Sequence, residues 1–336
     1  MGRRIAVIGA GSWGTALAII AARRGHDVTV WSRNAAVVAG INQEHFNPVY
    51  LKWSQIPAGV RATNAIAAAL ETAELVIFAA PSHAARGLLA MMTPGFSREQ
   101  ILVSAAKGIE IESGKRISEI VSEMVPSAVC PRFVCLSGPS FAQEVIANHP
   151  TAIVAASADE EAGRLVQSAL SFESLRIYTN DDVIGTEVGG SVKNVMAIAA
   201  GMVAGLGFGA NSIAALITRG LAEMTRLALH AGGRAETMMG LAGLGDLVLT
   251  CTGSLSRNRF VGHELGQGRS LNDITAGMNE VAEGIKTTLA VNRSAKQLGL
   301  ELPITREVHS VLYEGKLASD AVNELMMRPL RAERNR

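Results

Sequence analysis

The run Gly9-Ala10-Gly11-Ser12-Trp13-Gly14 has the spacing G-x-G-x-x-G and stands between a short apolar segment, Arg4-Ile5-Ala6-Val7-Ile8, and a helical pattern that begins at Ser12. Its position says more than its glycines, because a chain with 34 glycines produces bare matches by chance. The apolar segment has the composition of a strand buried on both faces of a parallel sheet. Gly25 follows the helical stretch Ser12 to Arg24 where a C-terminal glycine stop belongs. Asp27-Val28-Thr29-Val30-Trp31 then supplies a second strand and completes a βαβ unit of about thirty residues. In such a unit Gly9 makes the tight turn, Gly11 lets the backbone approach a pyrophosphate, and Gly14 brings helix against strand. The N–H groups of the helix start are then aimed at phosphate oxygens. The segment reads as a dinucleotide-binding unit.

The end of the second strand carries Ser32-Arg33-Asn34, where readers of NAD place an Asp or Glu to accept from the ribose 2′-hydroxyl. Arg33 cannot accept that bond, but its planar fork pairs with a 2′-phosphate. NADP(H) is therefore the expected cofactor, with NAD(H) tolerated.

At 336 residues the chain has the length of two domains of about 150 residues each, and its 48% apolar content supports real cores. Basic and acidic residues balance at 31 against 30, and aromatics make up 4%, so neither nucleic acid nor a base-stacking platform is indicated. Cys130, Cys135 and Cys251 form no C-x-x-C pair and leave an odd thiol under any pairing, which points to a reducing cytoplasm. The 7 histidines have no paired ligand spacing, and no metal is expected. Met1-Gly2-Arg3-Arg4 enters the first strand with no apolar signal region. Ala6 stands where a myristoylation signal needs Ser or Thr. Val195 to Thr218 is uncharged and long enough to imitate a membrane span. Its Ala and Gly content, Asn211, Ser212 and the break Gly205-Leu206-Gly207-Phe208-Gly209 instead predict two close-packed buried helices and no membrane insertion.

Further apolar runs alternate with helical patterns: Leu75 to Ala79, Ile101 to Ser104, Phe133 to Leu136, Thr151 to Val154 and Leu175 to Tyr178. This alternation predicts a doubly wound α/β sheet, a Rossmann-type domain over residues 1–182. From Val183 onward the periodicity is helical, as in Ala214 to Ala231 and Val281 to Leu298, which predicts an all-α substrate domain over 183–330 and a flexible tail at 331–336. Apolar helical surfaces in the second domain point to a homodimer.

Open α/β sheets bind ligands beyond the carboxyl ends of their strands. Ala79-Ala80-Pro81-Ser82, Ala105-Ala106-Lys107-Gly108 and Ser137-Gly138-Pro139-Ser140 each follow a strand, and Lys107 is the charged member. Lys193 is the only charged residue between Glu187 and Arg219. An ammonium entering so apolar a segment is costly unless paired, and burial draws its pKa toward neutrality, where proton transfer to a carbonyl oxygen is most useful. Asp246, behind Leu241-Ala242-Gly243-Leu244-Gly245, is placed to orient and balance Lys193. In Ser254-Leu255-Ser256-Arg257-Asn258-Arg259-Phe260, hydroxyl, guanidinium and amide groups precede a helical pattern and suit a phosphate.

Taken together these residues resemble the bacterial NAD(P)-dependent glycerol-3-phosphate dehydrogenases over nearly the whole chain. The likeness is carried by Gly9 to Thr15, Ala106 to Glu110, Ser137 to Ala142, Val192 to Val195, Gly243 to Asp246, Ser256 to Asn258 and Val281 to Gly284. It implies a helical domain like the C-terminal part of 6-phosphogluconate dehydrogenase. It also implies interconversion of dihydroxyacetone phosphate and sn-glycerol 3-phosphate, supplying the glycerophospholipid backbone. By the same resemblance, Gly9, Gly11, Ser12, Trp13, Gly14, Arg33, Lys107, Ala142, Arg257, Val281 and Glu283 meet the cofactor. Lys107, Gly138, Ser140, Lys193, Asp246, Ser256, Arg257 and Asn258 line the substrate site, with Lys193 as proton donor and acceptor and Lys107 and Asp246 as its catalytic partners. The competing readings are a related 3-hydroxyacid or 6-phosphogluconate-type dehydrogenase and a non-catalytic NADPH sensor, which would need the dinucleotide loop but not the two lysines and Asp246 together.

Overall fold

A computed structural model describes residues 2–278, 282–330, 332 and 333. Its eight strands are β1 (Arg4–Ile8), β2 (Asp27–Trp31), β3 (Val60–Thr63), β4 (Leu75–Phe78), β5 (Ile101–Ser104), β6 (Arg132–Ser137), β7 (Thr151–Ala156) and β8 (Leu175–Asn180). They form one sheet in the order β3-β2-β1-β4-β5-β6-β7-β8. Neighbours are parallel except β6 and β7, so the last two strands run opposite to the rest. The order around β1 reverses between β2 and β4, which opens the binding crevice of a Rossmann-type sheet above their carboxyl ends.

The apolar runs are continuous because both faces of the sheet are covered. Along β1, Ile5 and Val7 enter one buried cluster, with Leu17 and Ile20 of the helix Ser12–Arg23. Ala6 and Ile8 enter the opposite one, with Leu89 and Ile120. The sequence reading lacked β3. Val-Arg-Ala-Thr is a four-residue edge strand whose alternate side chains face solvent, so no apolar run marks it.

Every helix or strand after β8 among the described residues is helical. The core helix Val183–Gly205 is capped by Asp182, whose carboxylate accepts from Gly185 N–H at 2.8 Å. By length and hydropathy it is apolar enough to cross a membrane, but 89% of its apolar window is buried inside the fold. The expected break falls after it, where Gly207 adopts φ +81° before the helix Ala210–His230. That second helix departs from the expectation of full burial. Its buried residues begin at Gly220, and in the turns before that Ile213, Leu216 and Ile217 pack, partly buried, against the helical core while their neighbours are exposed.

The helix Arg257–Gly266 lies against the core helix at backbone contact. A Cβ on Gly262 would stand 1.9 Å from the Ile198 carbonyl oxygen, and one on Gly201 would stand 2.1 Å from that of Arg259. Gly205 and Gly266 repeat the arrangement one turn on. This approach sets Asn258 beside Asn194, the residue after Lys193. Of the tail expected at 331–336, residues 331 and 334–336 lie outside the described residues.

Candidate active site

The candidate cofactor cradle is the turn from β1 into the helix Ser12–Arg23. Gly9 takes φ +114°, and a Cβ there would meet the Ala79 and Ala80 backbone at 2.9 Å. A Cβ on Gly14 would stand 1.9 Å from the Gly9 carbonyl oxygen, so helix and turn are in backbone contact. Gly11 differs, because a Cβ on it would meet nothing within 4 Å. It faces open space, and as N-cap it gives the helix start no side-chain hydrogen bond. The buried Trp13 indole N–H has no partner within the protein. An open face at Gly11, helix N–H groups without a side-chain cap and an orphaned donor fit the pyrophosphate of a dinucleotide. Arg33 stands exposed just past β2, between the buried Ser32 and Asn34, which caps the next helix through Ala36 N–H.

On the far side of the crevice, Asp246 gathers the groups that carry charge. Its carboxylate, 1% exposed, accepts from Lys107 Nζ at 2.8 Å through one oxygen and from Lys193 Nζ through the other. Lys107 comes from the end of β5 and Lys193 from the core helix, so one carboxylate joins the two halves of the chain. Lys107 also donates to the Gly138 carbonyl at 3.0 Å, and Lys193 to the Thr250 hydroxyl at 3.0 Å. Close approach makes this possible. A Cβ on Gly190 would stand 2.6 Å from Ser137 Oγ, and one on Gly189 would stand 2.5 Å from the Ala242 carbonyl oxygen.

Electrostatics follow from burial. Burial lowers the Lys193 pKa from 10.5 to about 7; the Asp246 charge opposes this and the Lys107 charge adds to it. Burial also works against the Asp246 charge, but Lys107 first and then Lys193 outweigh it and hold that carboxyl below its usual range. The site is thus an ionised carboxylate with one ammonium titrating near neutrality, where a proton donor and acceptor operates best. Cys251 lies nearby, but burial pushes its thiol up to about 12.

The remaining sequence-derived residues fall around this centre. Gly138, at φ +133°, offers its carbonyl both to Lys107 and to the Ser140 hydroxyl at 3.0 Å. The same loop leans on the helical half, with Pro139 facing Gly245 and Phe141 packed on Gly253, and Ala142 opens the next short helix. Ser256 caps the helix Arg257–Gly266 by accepting from Arg259 N–H at 3.2 Å, and Arg257 stands exposed at its head. Asn258 is committed more deeply than its sequence position suggests. It donates to Asn194 at 3.0 Å and accepts from Gly284 N–H at 2.9 Å. Glu283 accepts from the Ser82 hydroxyl at 2.8 Å, closing a polar contact across the crevice beside Gly108. Val281 lies outside the described residues. Sequence reasoning missed Asn194 and Thr250. Asn194 is adjacent to Lys193 in the chain, and Thr250 lies one helical turn beyond Asp246, a spacing that places both on one face.

A doubly wound sheet with an open dinucleotide loop, facing a helical half that supplies a near-neutral lysine, defines an NAD(P)-dependent oxidoreductase. Comparison with known proteins narrows the class. The family models for the N-terminus and C-terminus of NAD-dependent glycerol-3-phosphate dehydrogenase match residues 4–163 and 182–323. The chain is 53% identical over 332 residues to a glycerol-3-phosphate dehydrogenase (NAD(P)+) of Koribacter versatilis, covering 98% of each. It is 50% identical over 330 residues to one of Nitratidesulfovibrio vulgaris, covering 98% of this chain and 100% of that one. A crystal structure of glycerol-3-phosphate dehydrogenase from Coxiella burnetii is similar with TM-score 0.93 at 39% identity, over 97% of this chain and 99% of that one. The chain belongs to the NAD-dependent glycerol-3-phosphate dehydrogenase family.

The glycine geometry separates fold from binding. Gly11→Ala is expected to keep the wild-type melting temperature, since its Cβ meets no protein atom. It should also weaken NADPH binding at least tenfold, by roughly 1.4 kcal/mol or more. Fluorescence titration beside thermal melts checks both halves, and unchanged affinity would remove Gly11 from the cradle.

Proposed function

We propose that this chain interconverts dihydroxyacetone phosphate and sn-glycerol 3-phosphate with NADPH or NADH, using Lys193 as proton donor and acceptor. The observation that carries this reading is the buried Lys193 ammonium, drawn to a pKa of about 7 and held on Asp246 together with Lys107 at the crevice. When bound, the dinucleotide supplies and receives the hydride at the carbon of the ketone. Lys193 donates its proton to the ketone oxygen in reduction and takes it back from the hydroxyl in oxidation. Lys107 stabilises negative charge on that oxygen, a preorganised interaction of roughly 3 kcal/mol. Asp246 keeps both ammoniums in place. The head of the helix Arg257–Gly266, with Ser256, Arg257 and Asn258, receives the substrate phosphate together with Gly138 and Ser140. Trp13, Ser12, Ala142, Val281 and Glu283 flank the cofactor, and Arg33 holds the 2′-phosphate that favours NADPH.

Residues 1–182 thus serve as the cofactor half and 183–330 as the substrate half. The three unpaired thiols agree with work in a reducing cytoplasm, where the product enters glycerophospholipid synthesis. The burial of the core helix within the fold supports a protein that inserts no helix in a membrane. The exposed Phe208, Met326 and Met327 support a homodimer through the helical half, which sedimentation at twice the 35.2 kDa chain mass checks.

NADPH absorbance separates the readings, followed as loss from NADPH with dihydroxyacetone phosphate and as gain from NADP+ with a 3-hydroxyacid or 6-phosphogluconate. Turnover is expected with the first alone. Reduction needs Lys193 protonated, so its rate falls as pH rises through about 7, whereas oxidation rises over the same interval. Arg33→Ala should lower the NADPH to NADH preference about tenfold. A ketone-reduction rate flat from pH 6 to 8 (chosen to bracket that value at about one unit each way) would remove Lys193 from the proton step.

A further inference from the structure

The segment 105–116, which carries Lys107, is fastened to the helical half at three points. Lys107 meets Asp246 near its start, and Ile109 belongs to the same buried cluster as Val188 and Val192 of the core helix. At the far end Arg116 Nη1 donates to the Glu187 carboxylate at 2.9 Å. The Ser118 backbone N–H donates to it at 2.9 Å and the Ser118 hydroxyl at 2.5 Å. Glu187 is 6% exposed and stands on the core helix six residues before Lys193, about 9 Å along its axis. The core helix therefore holds the middle and far end of the segment that delivers Lys107, and Asp246 holds its start. A carboxylate buried this deeply is costly to maintain, and burial pushes its pKa up against the Ser118 and Arg116 bonds. Glu187 lies outside the proton-transfer centre, yet it crosses from one half of the chain to the other at the foot of the helix that bears the proton donor.

We propose that Glu187 is a positioning residue: by clasping Arg116 and Ser118 it fixes the Lys107 segment to the core helix and sets the separation of the Lys107 and Lys193 ammoniums across Asp246. The charged groups facing Lys193 are Asp246 and Lys107, with the Cys251 thiol beside it; those around Glu187 are Arg116 and, within electrostatic reach, the buried Cys135 thiol. Releasing the clasp lets Lys107 withdraw, which takes a like charge away from Lys193 and leaves Asp246 to Lys193 alone. Both changes favour the ammonium form.

The test is single-turnover reduction of dihydroxyacetone phosphate by NADPH across pH, in the full chain. Glu187→Gln keeps the side-chain volume and removes the charge. It is expected to slow hydride transfer on the order of tenfold and to move the midpoint of the pH limb up by about one unit. The turn at Gly9 to Gly14 lies outside the clasp and is left as it is. Ser118→Ala removes one of the three bonds and gives the same changes on a smaller scale, so it decides the matter where Glu187→Gln fails to fold. A slower rate with an unmoved midpoint marks Glu187 as merely structural and overturns the proposal, as does wild-type behaviour in both. The inference rests on Lys193 as proton donor. A wild-type profile with no limb near neutrality overturns that reading and the clasp together, whereas a limb present in the wild type and unmoved in the variants overturns the clasp alone.

Discussion

A carboxylate excluded from water cannot remain ionised without partners, and Asp246, 1% exposed, finds its partners in two ammoniums from opposite halves of the chain. Much else in the structure serves that meeting. The core helix must lie close both to the segment before Asp246 and to the sheet, and Gly189, against the Ala242 carbonyl, and Gly190, against Ser137, admit that approach. The loop after β5 must hold Lys107 across the crevice, and Gly138 supplies the carbonyl that shares its charge. Burial first, with the neighbouring Lys107 charge adding to it, outweighs the Asp246 charge, and Lys193 titrates near neutrality.

The same economy organises the rest of the helical half. The glycines at 201, 205, 262 and 266 bring two helices to backbone contact, which places the head of the helix Arg257–Gly266 beside the residue after Lys193. Asn258 then joins Asn194 to the start of the helix Glu283–Leu298, and Glu283 reaches back to Ser82 in the sheet half. Asn194, Asn258, the start of the helix Glu283–Leu298 and Ser82 are thereby joined in one run of polar contacts from the core helix to the sheet half.

The sheet was legible wherever burial on both faces forces an apolar run, as along β1, β4 and β5. It was not legible at β3, an exposed edge of Val, Arg, Ala and Thr, nor in the reversed direction of β7, since direction leaves no mark on composition. In the site, Lys193 stood out because a lone charge in an apolar helix demands a partner, and Asp246 was the partner expected. That Lys107 shares the same carboxylate was hidden, for it depends on how two distant loops meet. Thr250 was hidden for another reason. A threonine in a helix ordinarily bonds back one turn, and Thr250 does so to Asp246, so nothing in the sequence signals that it also receives Lys193.

The central claim is that the Lys193 ammonium supplies the proton. It is tested most directly by measuring hydride transfer in Lys193→Ala with NADPH bound, with and without a small primary amine in solution. The account predicts a rate lower by about 10²- to 10⁴-fold at undiminished NADPH affinity, partly restored by the amine. Turnover close to wild type, indifferent to added amine, would contradict it.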